Sequence, residues 1–253
     1  MKLTTYNELT NFITAFDSGN LNLLIIKSEG GLAKSTLAGE LVHDKLYFSG
    51  HATPLAIFQK VQQNPDSKLL FDDVDALIQN KGNVSLLKQL ADTRKEKTVQ
   101  YNSTTKIMEG RPQEFVSNNK VMLLVNDIKR VGKNMKALMT RGFYINFVPT
   151  REEVMVKMKE FEKDKEIVGF LDSNKNNLQE LNLRTYVRAK ELKEVKLDWK
   201  DWIIKEFARS KAEILFEEIK ELKATERNEI WERETGMTVR TLRNWVKKEN
   251  RKD

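Results

Sequence analysis

The chain has 253 residues, which is enough for one large domain or for two to three smaller ones. Its 44 basic and 37 acidic residues give a formal net charge of +7 and a pI of about 9.3, a balance compatible with a nucleic-acid partner. Without cysteine there are no disulfides and no cysteine-bound zinc, and two histidines argue against a histidine-built metal site. No apolar run reaches membrane-spanning length, and the first residues lack the hydrophobic centre of a signal peptide. We therefore expect a soluble, intracellular (cytoplasmic) protein without a membrane partner.

An apolar run at residues 23–26 predicts a buried parallel strand. A loop follows, and Lys34, Ser35 and Thr36 open a predicted helix that extends to about His43. In such a strand–loop–helix unit, the loop N–H groups and the positive end of the helix dipole point at one place, where a phosphate chain can sit. We expect Lys34 to reach the β- and γ-phosphates and the Ser35 hydroxyl to hold Mg²⁺.

The loop departs from the phosphate-loop pattern G-x-x-x-x-G-K-[ST] at its two outer glycines, where Ser28 and Ala33 stand instead. Alanine carries a free-energy cost if the position needs a positive φ. A glycine-rich turn is the alternative, but strand, loop, Lys-Ser pair and helix occur in the order that favours a phosphate site. The predicted nucleotide contacts are Ser28, Glu29, Gly30, Gly31, Leu32, Ala33, Lys34, Ser35 and Thr36.

Further along, the pattern predicts a strand at residues 45–49, a helix at 53–63 and an apolar strand at 68–73 that ends in two acids. We expect Asp72, beside the phosphate loop, to hold the Mg²⁺ shell. Asp73 would orient and polarise an attacking water. The alternative is a strand followed by an acidic turn, and the preceding phosphate loop favours the site.

Residues 84–95 have helical spacing, whereas residues 97–101 and 113–116 form two short runs that can be extended. We interpret the two runs as an exposed β-hairpin, with an ordinary surface loop as an equal alternative. Another buried strand at residues 120–125 ends in Asn126, at the strand end where ligands bind in open α/β sheets. Asn126 can hydrogen-bond a γ-phosphate or the attacking water, or it can simply form the turn.

A basic helix is predicted at residues 133–140, ending at Arg141 with Gly142 as its C-cap, and a strand follows at residues 143–148. Arg141 at this helix end can point out of its own subunit. Across a subunit boundary it would stabilise the transition state of phosphoryl transfer. The alternative is a cation that is favoured at a helix C-terminus.

The order of these motifs resembles the AAA+ family of P-loop ATPases. The matching pieces are SEGGLAKST, LLFDD, LLVND and ALMTRG followed by YINFVPT, which are similar to the family's Walker A, Walker B, sensor 1 and arginine-finger regions. The resemblance implies an α/β fold with a five-stranded parallel sheet flanked by helices, and an all-α lid. It also implies ATP and Mg²⁺ as ligands, and a homo-oligomeric ring such as a hexamer that binds nucleotide between subunits.

Two features also resemble superfamily 3 viral helicases. One is the excursion at residues 97–118, where some of those helicases carry a DNA-contacting hairpin, and the other is the Asp-Asp pair. Asp73 in place of the usual glutamate, together with Ser28 and Ala33, implies slower hydrolysis.

Residues 150–207 predict a helical block that fits the family's lid, beginning at a capping box formed by Thr150 and Glu153. Within this block, the segment around Arg184 resembles the family's sensor 2 region, which implies that Arg184 is aimed at the nucleotide. Arg188, one turn further on, is the rival. Alternatively, both arginines are solvated helix cations.

Residues 208–253 are predicted as a small C-terminal unit. After a charged helix at residues 211–223, a helix from residue 224, a turn around Gly236 and a second helix have the spacing of a helix-turn-helix. The glycine at the turn and the basic second helix favour DNA over the alternative, a terminal hairpin with a solvated basic face. The predicted contacts in a major groove are Thr238, Arg240, Thr241, Arg243, Lys247 and Lys248.

These features predict an AAA+ ATPase core at residues 1–149, a helical lid at 150–207 and a DNA-binding segment at 208–253. The first hypothesis is an Mg-ATP-hydrolysing ATPase that acts on DNA with other replication proteins, as a helicase, helicase loader or initiator. Its assignment to a virus or mobile element rests on the resemblance. The second hypothesis is a nucleotide-gated DNA-binding switch in transposition or transcription, with little turnover. The third is a protein-remodelling ATPase.

Overall fold

The computed structural model describes residues 1–73, 77–94, 96–102, 106–110, 112–126 and 133–249. The chain divides into two compact units, Met1–Lys157 (unit 1) and Met158–Asp253 (unit 2). The predicted three-domain division stays a prediction. Within the described part of the chain, every helix is too short or too polar to cross a membrane.

Unit 1 alternates strands and helices along the chain. In order, its elements are β1 (Lys2–Leu3), α1 (Tyr6–Asp17), β2 (Leu23–Lys27), α2 (Lys34–Leu41), β3 (Lys45–Ser49), α3 (Pro54–Gln62), β4 (Lys68–Asp72), α4 (Lys81–Leu90), β5 (Lys97–Gln100), β6 (Glu114–Ser117), β7 (Lys120–Val125), α5 (Lys133–Met139) and β8 (Phe143–Phe147), and α6 (Arg151–Phe161) crosses into unit 2.

The α/β fold class is confirmed, because six of these strands form one sheet in the order β1-β8-β2-β7-β4-β3 and every neighbouring pair is parallel. The sheet has six strands, whereas the resemblance implies five. The additional strand, β1, pairs only Lys2 and Leu3 with β8. Two residues are too few to show alternation, so the sequence pattern gave no signal for it.

Helices cover both faces of the sheet. One face packs against α3, α4 and α5 in a single apolar cluster. On the other face, Tyr6 and Phe12 of α1 contact Phe147 and Phe143 of β8 at ring-centroid distances of 5.1 and 6.0 Å. The central strands are therefore buried on both sides, which is why they are near-continuous apolar runs.

The two short runs after α4 form the predicted hairpin. Strands β5 and β6 pair in antiparallel fashion, with Lys97 opposite Ser117 and Gln100 opposite Glu114. The loop alternative is therefore wrong. The predicted exposure is wrong for one face of the hairpin, because Lys97 points inward and is only 1% exposed and Val99 belongs to the apolar core cluster.

The predicted bounds of two helices are wrong, at both ends of α4 and at the C-terminal end of α5. Helix α4 begins at Lys81 instead of residue 84, because the Asn80 side chain caps it by accepting from the Gly82 N–H at 2.9 Å, and it ends at Leu90 instead of residue 95. Helix α5 ends at Met139, so Gly142 is not its C-cap. Gly142 instead allows a close approach, since a Cβ there would lie 2.3 Å from the Leu23 carbonyl oxygen.

The predicted capping box at the start of α6 is half correct. The Thr150 hydroxyl accepts from the Glu153 N–H at 3.2 Å. The Glu153 carboxylate, however, accepts from the Tyr6 N–H of α1 at 2.9 Å. This carboxylate therefore links α6 to α1.

Unit 2 is helical in its described part. Its further helices are α7 (Lys165–Asn174), α8 (Leu183–Glu194), α9 (Trp199–Phe207), α10 (Lys211–Ile219), α11 (Ala224–Thr235) and α12 (Val239–Glu249). Helices α10, α11 and α12 pack around Trp231, which is fully buried. Gly236 caps the C-terminus of α11 with φ +67, the left-handed conformation that favours glycine, so the predicted turn between the last two helices is present.

Candidate nucleotide site

The predicted phosphate-binding and acidic residues meet at one edge of the sheet. The register pairs Lys27 of β2 with Val125 of β7, and Ser49 of β3 with Asp72 of β4, so these strands end at the same level. Because all four strands are parallel, the residues that follow them lie along their common carboxyl edge. That is the edge at which open α/β sheets bind ligands.

The loop after β2 leads into a helix whose N-terminus has no side-chain cap. Ala33 occupies the N-cap position with φ 59 and ψ 11, and its side chain makes no capping hydrogen bond. The first-turn N–H groups of a helix have no partner within the helix, and such groups can bind a phosphate. Ala33 stands where the pattern has glycine, and the left-handed conformation costs a non-glycine residue about 1–2 kcal/mol.

The start of the loop is fixed to the sheet. Ser28 is 2% exposed, and its N–H donates to the Val125 carbonyl of β7 at 3.1 Å. The loop therefore leaves the sheet from a fixed point although Ser28 replaces the first glycine of the pattern.

Three of the predicted catalytic residues form one hydrogen-bonded chain. The Lys34 ammonium donates to Asn126 Oδ1. Asn126 Nδ2 in turn donates to Asp73 Oδ1 at 2.7 Å. The amide of Asn126 thus bridges the lysine and the acid, while Lys34 is 6% exposed and Asp73 is exposed. Asp73 adopts φ +54, a second left-handed backbone at this site.

The predicted metal ligands are also in contact with each other. Ser35 Oγ donates to Asp72 Oδ1 at 2.9 Å, and the Asp73 N–H donates to the same oxygen at 3.0 Å. The Tyr47 hydroxyl donates to Asp72 Oδ2 at 2.7 Å. Burial, followed by the hydrogen bond to Asp72, raises the pKa of Tyr47 to about 12, so this hydroxyl keeps its proton at neutral pH.

Tyr47 was missed at the sequence level. It lies in the middle of a short strand with no neighbouring motif, and only the sheet order places β3 beside β4. Its 44% exposure, unusual for a large aromatic residue, is visible only in the structure.

The donor set fits Mg²⁺. Hydroxyl and carboxylate oxygens, as on Ser35, Asp72 and Asp73, are the ligands this hard cation prefers. Among the residues that the structure describes, no group of three or more histidine, cysteine or acidic side chains could hold a metal by itself. Mg²⁺ usually keeps several waters and binds through one or two protein oxygens and substrate phosphates, so the site fits a metal that arrives with a nucleotide.

Arg141 lies at the amino-terminal ends of the strands, opposite the carboxyl edge that carries the phosphate loop. It precedes β8, whereas the phosphate loop follows β2, and a five-residue strand spans roughly 16 Å. Its Nη1 donates to the Ala137 carbonyl at 2.6 Å. Arg141 therefore does not reach the phosphate loop of its own chain.

In unit 2, the two candidate arginines of α8 have different surroundings. Arg184 is exposed near the start of the helix, where the Asn182 side chain accepts from the Thr185 N–H at 3.0 Å. The Arg188 guanidinium lies over the ring of Phe207, 5.3 Å from its centroid. Arg188 is thus engaged within unit 2, and the role of Arg184 stays a prediction.

Helix α12 presents its cations to solvent. Thr238, Arg240, Arg243 and Lys247 are exposed and Thr241 is half-buried, whereas the side chain of Lys248 lies outside the described residues. We call Arg240, Arg243 and Lys247 the basic face. The Glu232 carboxylate of α11 accepts from the Val239 N–H at 3.2 Å, which caps α12 and ties it to α11.

A scan against protein-family models found no match, and a search of curated proteins found none either. Among solved structures, domain III of the Thermotoga maritima replication initiation protein DnaA is similar, with a TM-score of 0.47 and 16% identity over 81% of this chain and 92% of that chain. Caenorhabditis elegans PCH-2 gives 0.44 and 13% over 75% and 62%. A katanin structure gives 0.45 and 12% over 77% and 69%. At these values the likeness carries no conclusion about function.

Proposed function

We propose that this protein is an AAA+ type ATPase that binds and hydrolyses Mg-ATP. The observation that carries the proposal is the arrangement at the carboxyl edge of the sheet. There, Lys34, Asn126 and Asp73 form one hydrogen-bonded chain, and Ser35 donates to Asp72 beside it. Phosphoryl transfer requires groups of these kinds around the phosphates: a cation, an amide, a hydroxyl and carboxylates. Here they surround a helix N-terminus that has no side-chain cap.

Each residue has a distinct role in this proposal. The loop N–H groups and Lys34 bind the phosphates, while Ser35 and Asp72 hold the Mg²⁺ shell. A Mg²⁺ ion held there would supply positive charge against the negative charge that develops on the phosphates. Asp73 orients the attacking water, and Asn126 fixes the positions of Lys34 and Asp73 relative to each other.

The proposal includes assembly of several copies. Arg141 cannot act on the nucleotide of its own chain, so its predicted role requires a second copy whose phosphate loop faces it. A homo-oligomeric ring, with a hexamer as one possible size, would provide such a contact at every subunit. Arg184 would contribute a further cation to the nucleotide.

The proposal also includes double-stranded DNA as a partner, bound by the basic face of α12. Its three cations are exposed on one capped helix, and the chain carries a net charge of +7. A role in DNA replication of a virus or mobile element, as helicase, loader or initiator, extends this proposal from the resemblance of the motifs.

Nucleotide binding and turnover test the central claim. Lys34→Ala should weaken ATP binding by at least about tenfold, because it removes a charged contact to the phosphates. Asp73→Asn should keep ATP binding and lose turnover. Lys165→Ala, at an exposed lysine of α7, is the matched control and should behave as wild type. Unchanged ATP binding by Lys34→Ala would refute the phosphate site.

A specific observation also favours the second hypothesis, the nucleotide-gated switch. The short carboxylate of Asp73 is already held by Asn126, and the loop carries Ala33 in a left-handed conformation. Both features are expected to slow hydrolysis more than binding. Tight ATP binding with no turnover, with or without DNA, would decide for the switch.

DNA binding is tested by reversing the charges of the basic face in the triple variant Arg240→Glu, Arg243→Glu and Lys247→Glu. Affinity for duplex DNA should fall by more than about a hundredfold near physiological salt. The slope of log K against log salt should decrease by about 0.9 for each lost phosphate contact.

The matched control is the triple variant Lys163→Glu, Lys165→Glu and Lys190→Glu, which changes three exposed lysines of unit 2 and the same amount of charge. It should lose much less affinity. An equal loss in both triple variants would show that net charge alone governs binding and would reject α12 as the contact surface.

A further inference from the structure

We infer that Tyr47 is a positioning residue for the magnesium-binding carboxylate: its hydroxyl fixes Asp72 in the orientation that serves the Mg-nucleotide. This inference rests on the proposed function. It adds a residue from the neighbouring edge strand to a site otherwise built from the end of β4 and the residues that follow β2, β4 and β7.

The sheet register brings Tyr47 to Asp72. Tyr47 of β3 pairs with Leu70 of β4, and Asp72 is two residues further along β4, on the same face as Leu70. A diagonal neighbour of this kind lies within reach of a long aromatic side chain. The Tyr47 hydroxyl lies 2.7 Å from Asp72 Oδ2.

The contact completes the set of donors around Asp72. Oδ1 accepts from Ser35 Oγ and from the Asp73 N–H, both on one side of the carboxylate. Tyr47 is the donor to the other oxygen. Donors on both oxygens fix the rotation of the carboxylate group, and Oδ2, which accepts one hydrogen bond, keeps a lone pair for a metal-bound water. Without the Tyr47 hydroxyl, the Asp72 side chain, which is half-exposed at the end of β4, can turn away from Ser35.

Packing of the aromatic ring does not explain why a tyrosine occupies position 47. Its side chain is 44% exposed, whereas Phe48, the next residue in the strand, is 8% exposed and stacks on Phe71 with a centroid distance of 4.6 Å. The phenylalanine pair therefore fixes β3 against β4. The hydroxyl of Tyr47 is the part that contacts the site.

The test separates metal-dependent from metal-free nucleotide binding. ADP affinity is measured by calorimetry with Mg²⁺ and with EDTA for wild type, Tyr47→Phe and the control Tyr101→Phe, which removes a hydroxyl from the end of the hairpin. Tyr47→Phe should weaken binding about tenfold with Mg²⁺, the effect of one hydrogen bond to a charged group, and should leave binding in EDTA within about twofold of wild type. Tyr101→Phe should match wild type in both conditions.

A double-mutant cycle then asks whether Tyr47 acts through Asp72. In an Asp72→Asn background, adding Tyr47→Phe should cause little further loss of Mg-ADP affinity, because the oriented carboxylate is already gone. Fully additive losses would overturn the inference. So would equal Mg-ADP affinity in wild type and Tyr47→Phe, or an equal loss with Mg²⁺ and with EDTA. If wild type binds ADP in neither condition, the proposed function itself fails, which is distinct from failure of the Tyr47 inference alone.

Discussion

Replacing Lys97 with methionine should strongly destabilise unit 1. Lys97 is 1% exposed, and its ammonium donates to Asn22 Oδ1 and the Leu90 carbonyl, each at 2.7 Å, and to the Asn119 carbonyl. One side chain therefore joins the hairpin to the end of α4 and to the segments that precede β2 and β7. Methionine fills a similar length and removes all three bonds.

The expected magnitude is the balance of two opposing effects. Three hydrogen bonds from a charged group contribute about 1.5–3 kcal/mol each. Against this, burial, with Lys120 as a lesser cause, lowers the pKa of Lys97 from 10.5 to about 8, and holding the charge inside costs about 3 kcal/mol at most. We expect Lys97→Met to lower the free energy of unfolding by about 4 kcal/mol, a large part of a domain's usual stability.

Urea denaturation can assign the loss to the correct unit. All four tryptophans lie in unit 2, at positions 199, 202, 231 and 245, so their fluorescence reports on that unit, whereas far-UV circular dichroism reports on both. Lys97→Met should move the dichroism transition of unit 1 to lower urea by about 2 M. Lys106→Met, at an exposed lysine of the same hairpin, should change stability by less than about 0.5 kcal/mol.

A loss of less than about 1 kcal/mol in Lys97→Met would refute this reasoning. It would mean that water or a local shift satisfies the three acceptors and that Lys97 does not join these segments.

Three further predictions concern pH, glycine and the helical core. The pKa of Lys97 is lowered to about 8 in the folded protein, against 10.5 in the unfolded chain, so the unfolded chain binds more protons between pH 8 and 10.5. The free energy of unfolding of wild type, relative to that of Lys97→Met, should therefore rise with pH from 8 to 10. Urea titrations at several pH values measure this difference. Gly142→Ala should destabilise unit 1 by about 3 kcal/mol in the same assay, because the new Cβ would clash with the Leu23 carbonyl oxygen. Gly39→Ala, which adds a Cβ in open space within α2, should stabilise unit 1 by about 1 kcal/mol. Equal effects of the two variants would contradict the geometry. Trp231→Ala should cost unit 2 about 3–5 kcal/mol by emptying the centre of the α10–α12 cluster, and an unchanged dichroism transition would contradict that packing.

Much of the fold could be predicted from local patterns. The strands at residues 45–49 and 120–125 have the predicted bounds, because each is a short apolar run between polar residues. Helix α3 begins at Pro54 with the Thr53 side chain as its cap, within the predicted range of 53–63. These features depend on residues that are close neighbours in the chain, so the sequence carries them directly.

The errors have the opposite origin. Strand β1 exists because Lys2 and Leu3 find a partner in β8, about 140 positions further along the chain. Glu153 has the spacing of a capping box, yet its carboxylate binds the Tyr6 N–H instead. In both cases the decisive partner is distant in sequence, and no local spacing specifies it.

The candidate site divides in the same way. The sequence by itself determined which residues end the strands and open the helix, so Lys34, Ser35, Asp72, Asp73 and Asn126 could all be named in advance. Only the tertiary structure decided that Asn126 would bridge Lys34 and Asp73, and that a tyrosine of the edge strand would hold Asp72. The physical reason is that local composition specifies strands and their ends, whereas the order of strands in the sheet, which results from packing the whole domain, specifies which ends become neighbours.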